Sequence, residues 1–202
     1  MTVTVPAVRR GMGAEGSTRV IGICTSTGGP GALAEIIREL PADFTLPILV
    51  VQHIAPGFID GLMRMLDDDV ALSVAIARDG APLQPGVWLA PEDAHLTLAP
   101  SRQLVLDRRT VAGPHRPSAD LLLESLASVL GAEAVAVVLT GMGRDGARGA
   151  AAVKAAGGLL LAQDEATSRI YGMPRAAVEV GARPLSPPAI AAALRELCPA
   201  RG

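Results

Sequence analysis

The sequence predicts an α/β fold, a three-layer, doubly wound and mostly parallel sheet with a small antiparallel excursion. Short apolar runs alternate with helical patterns in the first and last parts of the chain, and this alternation is typical of parallel strands joined by helices. Aromatic residues make up only 2% of the chain, so the core must be built from Ala, Val, Leu and Ile. Such a core suits a parallel sheet covered by helices.

Two segments are expected along the chain. Residues 1 to 18 are expected to be a disordered leader, because Gly, Thr, Ser and Pro alternate there with too few apolar residues to pack. Residues 19 to 202 are expected to form one folded domain. The chain is 50% apolar, which is enough for one sizeable core.

The first part of the domain contains two β-loop-α units. Val20 to Cys24 is an apolar strand run, followed by a Gly-rich turn and a helical pattern with Pro30 in its first turn. Pro47 to Gln52 is the second strand run, and Phe58 to Leu66 is the second helix. Two such units in succession predict neighbouring parallel strands.

The rest of the chain continues this pattern after an interruption. Leu72 to Arg108 is broken by Pro and Gly into short strand-like pieces, which we interpret as one strand plus an antiparallel excursion. A helix capped by Ser118 and ended by Gly131 follows. The remaining predicted elements are strands at Ala134 to Thr140 and Leu159 to Gln163, and helices after Gly146, around Met173 to Val180 and around Pro188 to Leu197.

Composition argues against several classes of function. The formal charge is −2 and Lys154 is the single lysine among scattered arginines, so nucleic acid is not an expected partner. No apolar stretch approaches the ~20 residues that cross a bilayer, so membrane insertion is not expected. Cys24 and Cys198 are far apart and cannot form a disulfide framework, which favours a reducing compartment. We therefore expect a cytoplasmic location.

Three polar residues follow three of the predicted strands. Ser26 follows the first strand, His53 the second, and Asp145 the strand that begins at Ala134. Functional groups of open α/β sheets gather outside the carboxyl ends of the strands, so these three should share one edge. They are the set that nucleophilic acyl transfer needs, since an imidazole takes the hydroxyl proton and a carboxylate holds the imidazole.

Each of these residues also has a more ordinary interpretation. A serine or aspartate at a helix start is most often a cap, and a histidine at a strand end is most often structural or exposed. Only the joint placement supports catalysis. His95 lies inside the β excursion and His115 lies just before Arg116, so His53 is the leading candidate for a catalytic base.

Six short motifs occur in a fixed order along the chain. They are Ser26-Thr27-Gly28-Gly29-Pro30, Gln52-His53, Pro56-Gly57-Phe58, Arg116-Pro117-Ser118, Leu139-Thr140-Gly141-Met142-Gly143-Arg144-Asp145-Gly146 and Tyr171-Gly172-Met173-Pro174-Arg175. Together they resemble the catalytic domain of the chemotaxis protein-glutamate methylesterase family. The likeness runs from about Arg19 to Gly181, so residues 19–202 are expected to be a methylesterase-like catalytic domain.

The resemblance implies a serine hydrolase that removes methyl esters from glutamate side chains on the cytoplasmic helices of chemoreceptors, with deamidation of receptor glutamines as a further activity. The matching positions make Ser26 the nucleophile, His53 the general base and Asp145 its orienting carboxylate. They also imply that Thr27 assists the histidine and that the Met142 amide stabilises the oxyanion. No metal and no organic cofactor is implied, and no substrate-binding residue is assigned.

The sequence departs from the family pattern in two places. Members usually carry an N-terminal receiver domain that controls the esterase, whereas only the short leader precedes the first strand here. Phosphorylation control within this chain is therefore not expected, and a separate receiver protein is a candidate regulatory partner. Cys24-Thr25 also stands where the family commonly has Gly-Ala.

Two alternative functions remain open at this point. Gly141, Gly143 and Gly146 form a G-x-G-x-x-G pattern between a strand and a helix, and Asp164 and Glu165 end the next strand, as in an NAD(P)-binding oxidoreductase. The negative charge of Asp145, within that turn, argues against a pyrophosphate. The second alternative is a non-catalytic module of the same fold that binds receptor helices.

Overall fold

The computed structural model describes residues 19–111 and 113–198. The expected leader, residues 1–18, therefore lies outside the described residues. The strands are β1 (Val20–Thr25), β2 (Pro47–Gln52), β3 (Val74–Ile76), β4 (Gly86–Leu89), β5 (His95–Leu98), β6 (Leu104–Asp107), β7 (Ala134–Val138), β8 (Leu159–Gln163) and β9 (Arg183–Leu185). The helices are α1 (Gly29–Arg38), α2 (Ile59–Asp67), α3 (Ala119–Leu130), α4 (Ala147–Ala155), α5 (Met173–Glu179) and α6 (Pro187–Leu197).

A seven-stranded sheet in the order β3-β4-β2-β1-β7-β8-β9 forms the centre of the fold. Every pair of neighbours in this sheet is parallel. The chain leaves β1 toward β2 on one side and later returns to β7 on the other, so the strand order reverses at β1. Ligand-binding crevices of open α/β sheets form outside the carboxyl ends of the strands at such a reversal.

Helices cover both faces of this sheet, which confirms the doubly wound, three-layer prediction. One apolar cluster joins α1, α2 and α6 to one face, through β1 and β2 residues such as Ile21, Ile23 and Ile48. The other cluster joins α3, α4 and α5 to the opposite face, through residues such as Leu49 and Val138. Side chains alternate between the two clusters along each strand because the side-chain period of a strand is two. Both faces are buried, so the central strands are apolar throughout.

The predicted antiparallel excursion is the β5-β6 hairpin, a separate two-stranded sheet. Its Leu96 and Leu104 are fully buried in the same apolar cluster as α3. The hairpin therefore packs beside the first turns of α3, close to the carboxyl edge of the main sheet.

Two short strands were not predicted individually. β3 has three residues between polar and turn-forming segments, and β9 also has three, of which Arg183 and Pro184 are exposed. Both lie at the edges of the sheet, where little apolar surface is buried and the periodic signal is weak. No helix among the described residues is long and apolar enough to cross a membrane.

Candidate active site

Ser26 begins the turn between β1 and α1. Its N–H donates to the Thr140 carbonyl at 3.1 Å, which joins this turn to the loop after β7. Its carbonyl accepts the Gly29 N–H at 2.9 Å and thereby closes the turn. Gly28, with φ 85°, occupies the left-handed region that favours glycine and is the N-cap of α1. The half-buried serine therefore lies beside the positive end of a helix.

Gly29 and Gly141 allow a close approach around this turn. A Cβ on Gly29 would overlap the Thr25 hydroxyl and the Gln52 amide. A Cβ on Gly141 would lie 2.8 Å from the Ser26 Cβ. Gly29 is therefore needed for the turn to pack against the ends of β1 and β2, and Gly141 is needed for the β7 loop to contact the serine.

His53 follows β2 immediately and lies beside the Ser26 turn. Its N–H donates to the Thr25 carbonyl at 2.9 Å, in continuation of the β1-β2 ladder. Its Nε2 lies 2.9 Å from Oδ2 of Asp145, and the two side chains are only 11% and 10% exposed. Asp145 is ionised, so Nε2 carries the proton of this hydrogen bond. The other ring nitrogen, Nδ1, is buried and has no hydrogen-bond partner among the described residues.

Asp145 precedes α4 but binds the N-terminus of α3. Its carboxylate accepts the N–H groups of Ala119 at 2.8 Å and Asp120 at 3.1 Å, and the Ser118 hydroxyl at 3.1 Å. Ser118 is the N-cap residue, as predicted, but its hydroxyl makes no cap hydrogen bond to the helix. Asp145 supplies that cap from a different loop.

These contacts determine the ionisation of Asp145. Burial alone would raise its pKa, but the hydrogen bonds from His53 and from the Ala119 and Asp120 amides lower the pKa to about 2. The carboxylate is therefore charged at neutral pH. A charged carboxylate at Nε2–H fixes one tautomer of His53 and leaves Nδ1 as a proton acceptor.

The remaining histidines, which sequence reasoning set aside, both lie at this site. The rings of His115 and His53 stack with centroids 4.2 Å apart and an angle of 14° between their planes. His95 is buried, and its Nδ1 accepts the Ser118 N–H at 3.0 Å while Nε2 lies 3.0 Å from the Thr110 carbonyl. Neither contact could be predicted from strand ends, because both depend on how the hairpin and the loop before α3 fold back.

Thr27 and Met142, the expected supporting residues, lie in the two loops that contact each other at the serine. The Thr27 carbonyl accepts the Thr140 hydroxyl at 3.0 Å. Met142 is 72% exposed, and its N–H makes no hydrogen bond to any of the described residues. The roles of Thr27 and Met142 stay predictions.

The Cys24-Thr25 pair is accommodated without disturbing the turn. The Thr25 hydroxyl donates to the Thr140 carbonyl at 2.9 Å, so it adds a bond between the β1 and β7 ends. Burial raises the pKa of the Cys24 thiol, and the charges of Asp145 and Asp120 raise it further. The thiol therefore stays protonated and does not compete as a nucleophile.

The dinucleotide-binding alternative is not favoured by the start of α4. The N–H groups of Gly146 and Gly149 donate to Oδ1 of Asp120, each at 2.9 Å. A pyrophosphate would need these groups and would meet the negative charges of Asp120 and Asp145.

Asp164, which would bind the ribose of a dinucleotide in that alternative, makes its hydrogen bonds elsewhere. The Asp164 carboxylate accepts the N–H and the hydroxyl of Thr167, at 3.0 and 2.6 Å, within its own turn. Glu165 is exposed on the same turn. In residues 19–111 and 113–198, no cluster of three or more His, Cys, Asp and Glu side chains could hold a metal ion.

Comparisons with known proteins agree on one family. The profile of the CheB methylesterase family matches residues 21–194. A protein-glutamate methylesterase/protein-glutamine glutaminase of Burkholderia orbicola is 46% identical over 168 residues, which cover 83% of this chain and 50% of that protein. One from Anaeromyxobacter dehalogenans is 50% identical over 181 residues, which cover 88% of this chain and 53% of that protein. The chain thus spans about half the length of these curated relatives.

A solved structure gives the same result. The crystal structure of the Thermotoga maritima CheB methylesterase catalytic domain superposes with a TM-score of 0.86 at 40% identity, covering 90% of this chain and all of the other. The two domains therefore share one fold.

Proposed function

The chain belongs to the CheB methylesterase family, and we propose that it is a serine hydrolase that removes methyl esters from glutamate side chains of chemoreceptors. The observation that carries this proposal is the hydrogen bond of 2.9 Å between His53 Nε2 and Asp145, next to the Ser26 turn. Nucleophile, base and orienting acid then have the roles that acyl transfer requires.

In the first step, the Ser26 hydroxyl attacks the ester carbonyl carbon while its proton moves to Nδ1 of His53. Nδ1 is the acceptor because Nε2–H is bonded to Asp145. The assignment of the two ring nitrogens is the reverse of that in the trypsin-like triad, where the aspartate holds Nδ1. The imidazolium that forms is stabilised by the ionised Asp145.

The tetrahedral oxyanion needs backbone donors near Ser26. The Met142 amide is a candidate because it has no hydrogen bond among the described residues and lies next to Gly141, which contacts the serine. One such donor is typically worth about 10²–10³ in rate. The C–O bond to the methoxy group then breaks, and methanol leaves with the proton from His53.

Water completes the reaction. His53 takes a proton from water, hydroxide attacks the acyl-Ser26 carbonyl, and the glutamate carboxylate departs as Ser26 regains its proton. The same steps on a glutamine side chain release ammonia in place of methanol. We include that deamidation in the proposal because the names of the relatives state both activities.

The proposed substrate also implies the partner and the compartment. Methylated glutamates lie on cytoplasmic helices of chemoreceptors, so the enzyme would act in the cytoplasm. Met142 and Phe58, both exposed and both in loops at the sheet edge, are apolar surfaces that such a helix could contact. A separate receiver protein remains a candidate regulator.

A fluorophosphonate probe distinguishes the hydrolase from a non-catalytic module. We expect the wild type to be labelled on Ser26, as mapped by mass spectrometry, and Ser26→Ala to stay unlabelled. A folded wild type that is not labelled would favour the module that only binds receptor helices.

A further inference from the structure

Gln52 is a buried residue at the end of β2 to which the reaction above gives no role. Its side chain is almost fully buried, with the residue only 3% exposed. The amide Nε2 donates to the Ser26 carbonyl at 2.9 Å and to the His53 carbonyl at 2.8 Å. One NH₂ group thus connects the backbone of the proposed nucleophile to the backbone of the proposed base.

This geometry requires a primary amide in one orientation. Only an NH₂ group can face two carbonyl oxygens, because an oxygen at that position would accept no hydrogen bond and would repel both. The other end of the amide, Oε1, lies against Gly29, where a Cβ would overlap it. That oxygen is buried and has no partner among the described residues. In this orientation the Gln52 oxygen has no hydrogen-bond partner among the described residues, while both N–H donors are bonded to the two loops.

The contact also supplements the backbone bonds between the loops. The Ser26 carbonyl already accepts the Gly29 N–H, and the His53 N–H already donates to Thr25. The first bond closes the turn of Ser26 itself, and the second joins His53 to the last residue of β1, one position before Ser26. The Gln52 amide adds a direct link between the carbonyls of Ser26 and His53 themselves.

We propose that Gln52 is a positioning residue of the reaction, whose amide sets the separation and relative orientation of Ser26 and His53. This inference rests on the proposed function, since it assigns a role within that reaction. The N–H donors of Gln52 bond to backbone carbonyls and not to the Ser26 hydroxyl or the His53 ring, so Gln52 acts through the two backbones. A misplacement of about 1 Å between nucleophile and base can cost about 10²-fold in rate.

Two substitutions test the proposal. Gln52→Met keeps the length of the side chain without its donors, and Gln52→Glu keeps the shape but presents oxygens to both carbonyls. We expect kcat for methanol release from methylated receptor to fall by about tenfold to a hundredfold in each, with KM within about threefold of the wild type. The rate of Ser26 labelling by the fluorophosphonate probe should fall in parallel, and this readout needs no receptor.

Ser125→Ala is the matched control. The Ser125 hydroxyl accepts the Leu98 N–H at 3.0 Å and donates to the Leu122 carbonyl at 2.7 Å, so its removal also costs two hydrogen bonds to backbone groups. It lies in α3, and its hydroxyl bonds to neither Ser26 nor His53. We expect Ser125→Ala to lower the melting temperature and leave kcat unchanged.

The outcomes separate this inference from the proposed function. Folded Gln52 variants with wild-type kcat and labelling rates would overturn the positioning role while leaving the esterase intact. An equal loss of kcat in Ser125→Ala would also overturn it, because the effect would then be general destabilisation. A wild type that labels at Ser26 but releases no methanol would reject the substrate, and the labelling rates would still decide the role of Gln52.

Discussion

Asp145 uses both of its carboxylate oxygens. Oδ2 accepts from His53 and from the Ala119 N–H, while Oδ1 accepts from Ser118 and from the Asp120 N–H. The charge that caps the helix is therefore the charge that orients the imidazole. Removal of that charge should affect both functions.

Asp145→Asn should lower kcat far more than it changes KM. The amide still occupies the site, but its NH₂ group can face His53 and favour the wrong tautomer, a change that in a serine protease lowers kcat about 10⁴-fold. Initial rates of methanol release, with folding checked by circular dichroism, measure the effect. A kcat within about tenfold of the wild type would show that Asp145 does not orient His53.

His115 should stabilise the plane of the His53 ring through the stack at 4.2 Å. Aromatic pairs contribute about 0.5–1.5 kcal/mol, so His115→Ala should lower kcat by up to about tenfold. His115→Phe keeps a flat ring and should retain most of the activity, whereas His115→Leu should behave like Ala. Equal kcat values for Phe and Leu would contradict a role for the stack.

The residues Ser26, His53 and Asp145 could be chosen from sequence because each follows an apolar strand run. The contacts of His115 and His95 could not, since they form through segments with no periodic signal. The contacts of Gln52 could not be predicted either. The sequence shows it only as the last residue of a strand, and its hydrogen bonds to the two loops are seen only in the folded chain.

At the scale of elements, α3 and α4 cap each other. Asp145, which precedes α4, binds the first amides of α3, and Asp120, in the first turn of α3, binds the Gly146 and Gly149 amides of α4. Both carboxylates lie at positive helix ends, where negative charge is stabilising. The position of Asp145, and hence of His53, thus depends on the packing of two helices.

Asp120→Ala should destabilise the fold. It leaves two amides at the start of α4 without their acceptor, and loss of a helix cap typically costs about 0.5–2 kcal/mol. Glu124→Ala is the matched control, because Glu124 lies one turn later on α3 and pairs with the exposed Arg148. An exposed ion pair contributes about 0–1 kcal/mol to stability. Chemical denaturation should therefore show a clearly smaller loss in the free energy of unfolding for Glu124→Ala than for Asp120→Ala. Equal changes would argue against the reciprocal caps.

Stability should also fall in acid through Asp145. The native pKa of about 2 lies below the ordinary value of 3.8, so its contribution is present above about pH 4 and is lost as the pH falls toward 2. The difference in free energy of unfolding between the wild type and Asp145→Ala should therefore shrink over this range. A difference that stays constant from pH 6 to pH 2 would contradict the low native pKa.

At the scale of the whole molecule, the predicted architecture was confirmed, including the parallel sheet and the hairpin excursion. Buried strands such as β2 and β7 and amphipathic helices such as α1 give strong periodic signals, because their burial demands apolar residues at fixed spacing. Edge strands such as β9 bury little apolar surface and give weak periodic signals. The order of the strands, which places β1 between β2 and β7, could not be predicted from the sequence and is known from the structure.

That order is what makes the three loops a site. Ser26 follows the central strand of the three, and the loops carrying His53 and Asp145 follow its two neighbours. If β1 did not lie between β2 and β7, Ser26 would be farther from His53 or from Asp145 by at least one strand spacing of about 4.8 Å.

Release of methanol from a methylated chemoreceptor tests the central claim most directly, with the wild type compared with Ser26→Ala and His53→Ala. We expect release by the wild type and a loss of about 10³-fold or more in both variants, because the triad members act as a unit. Release that persists in folded Ser26→Ala would contradict the assignment of the nucleophile, and no release by a folded wild type would contradict the proposed function.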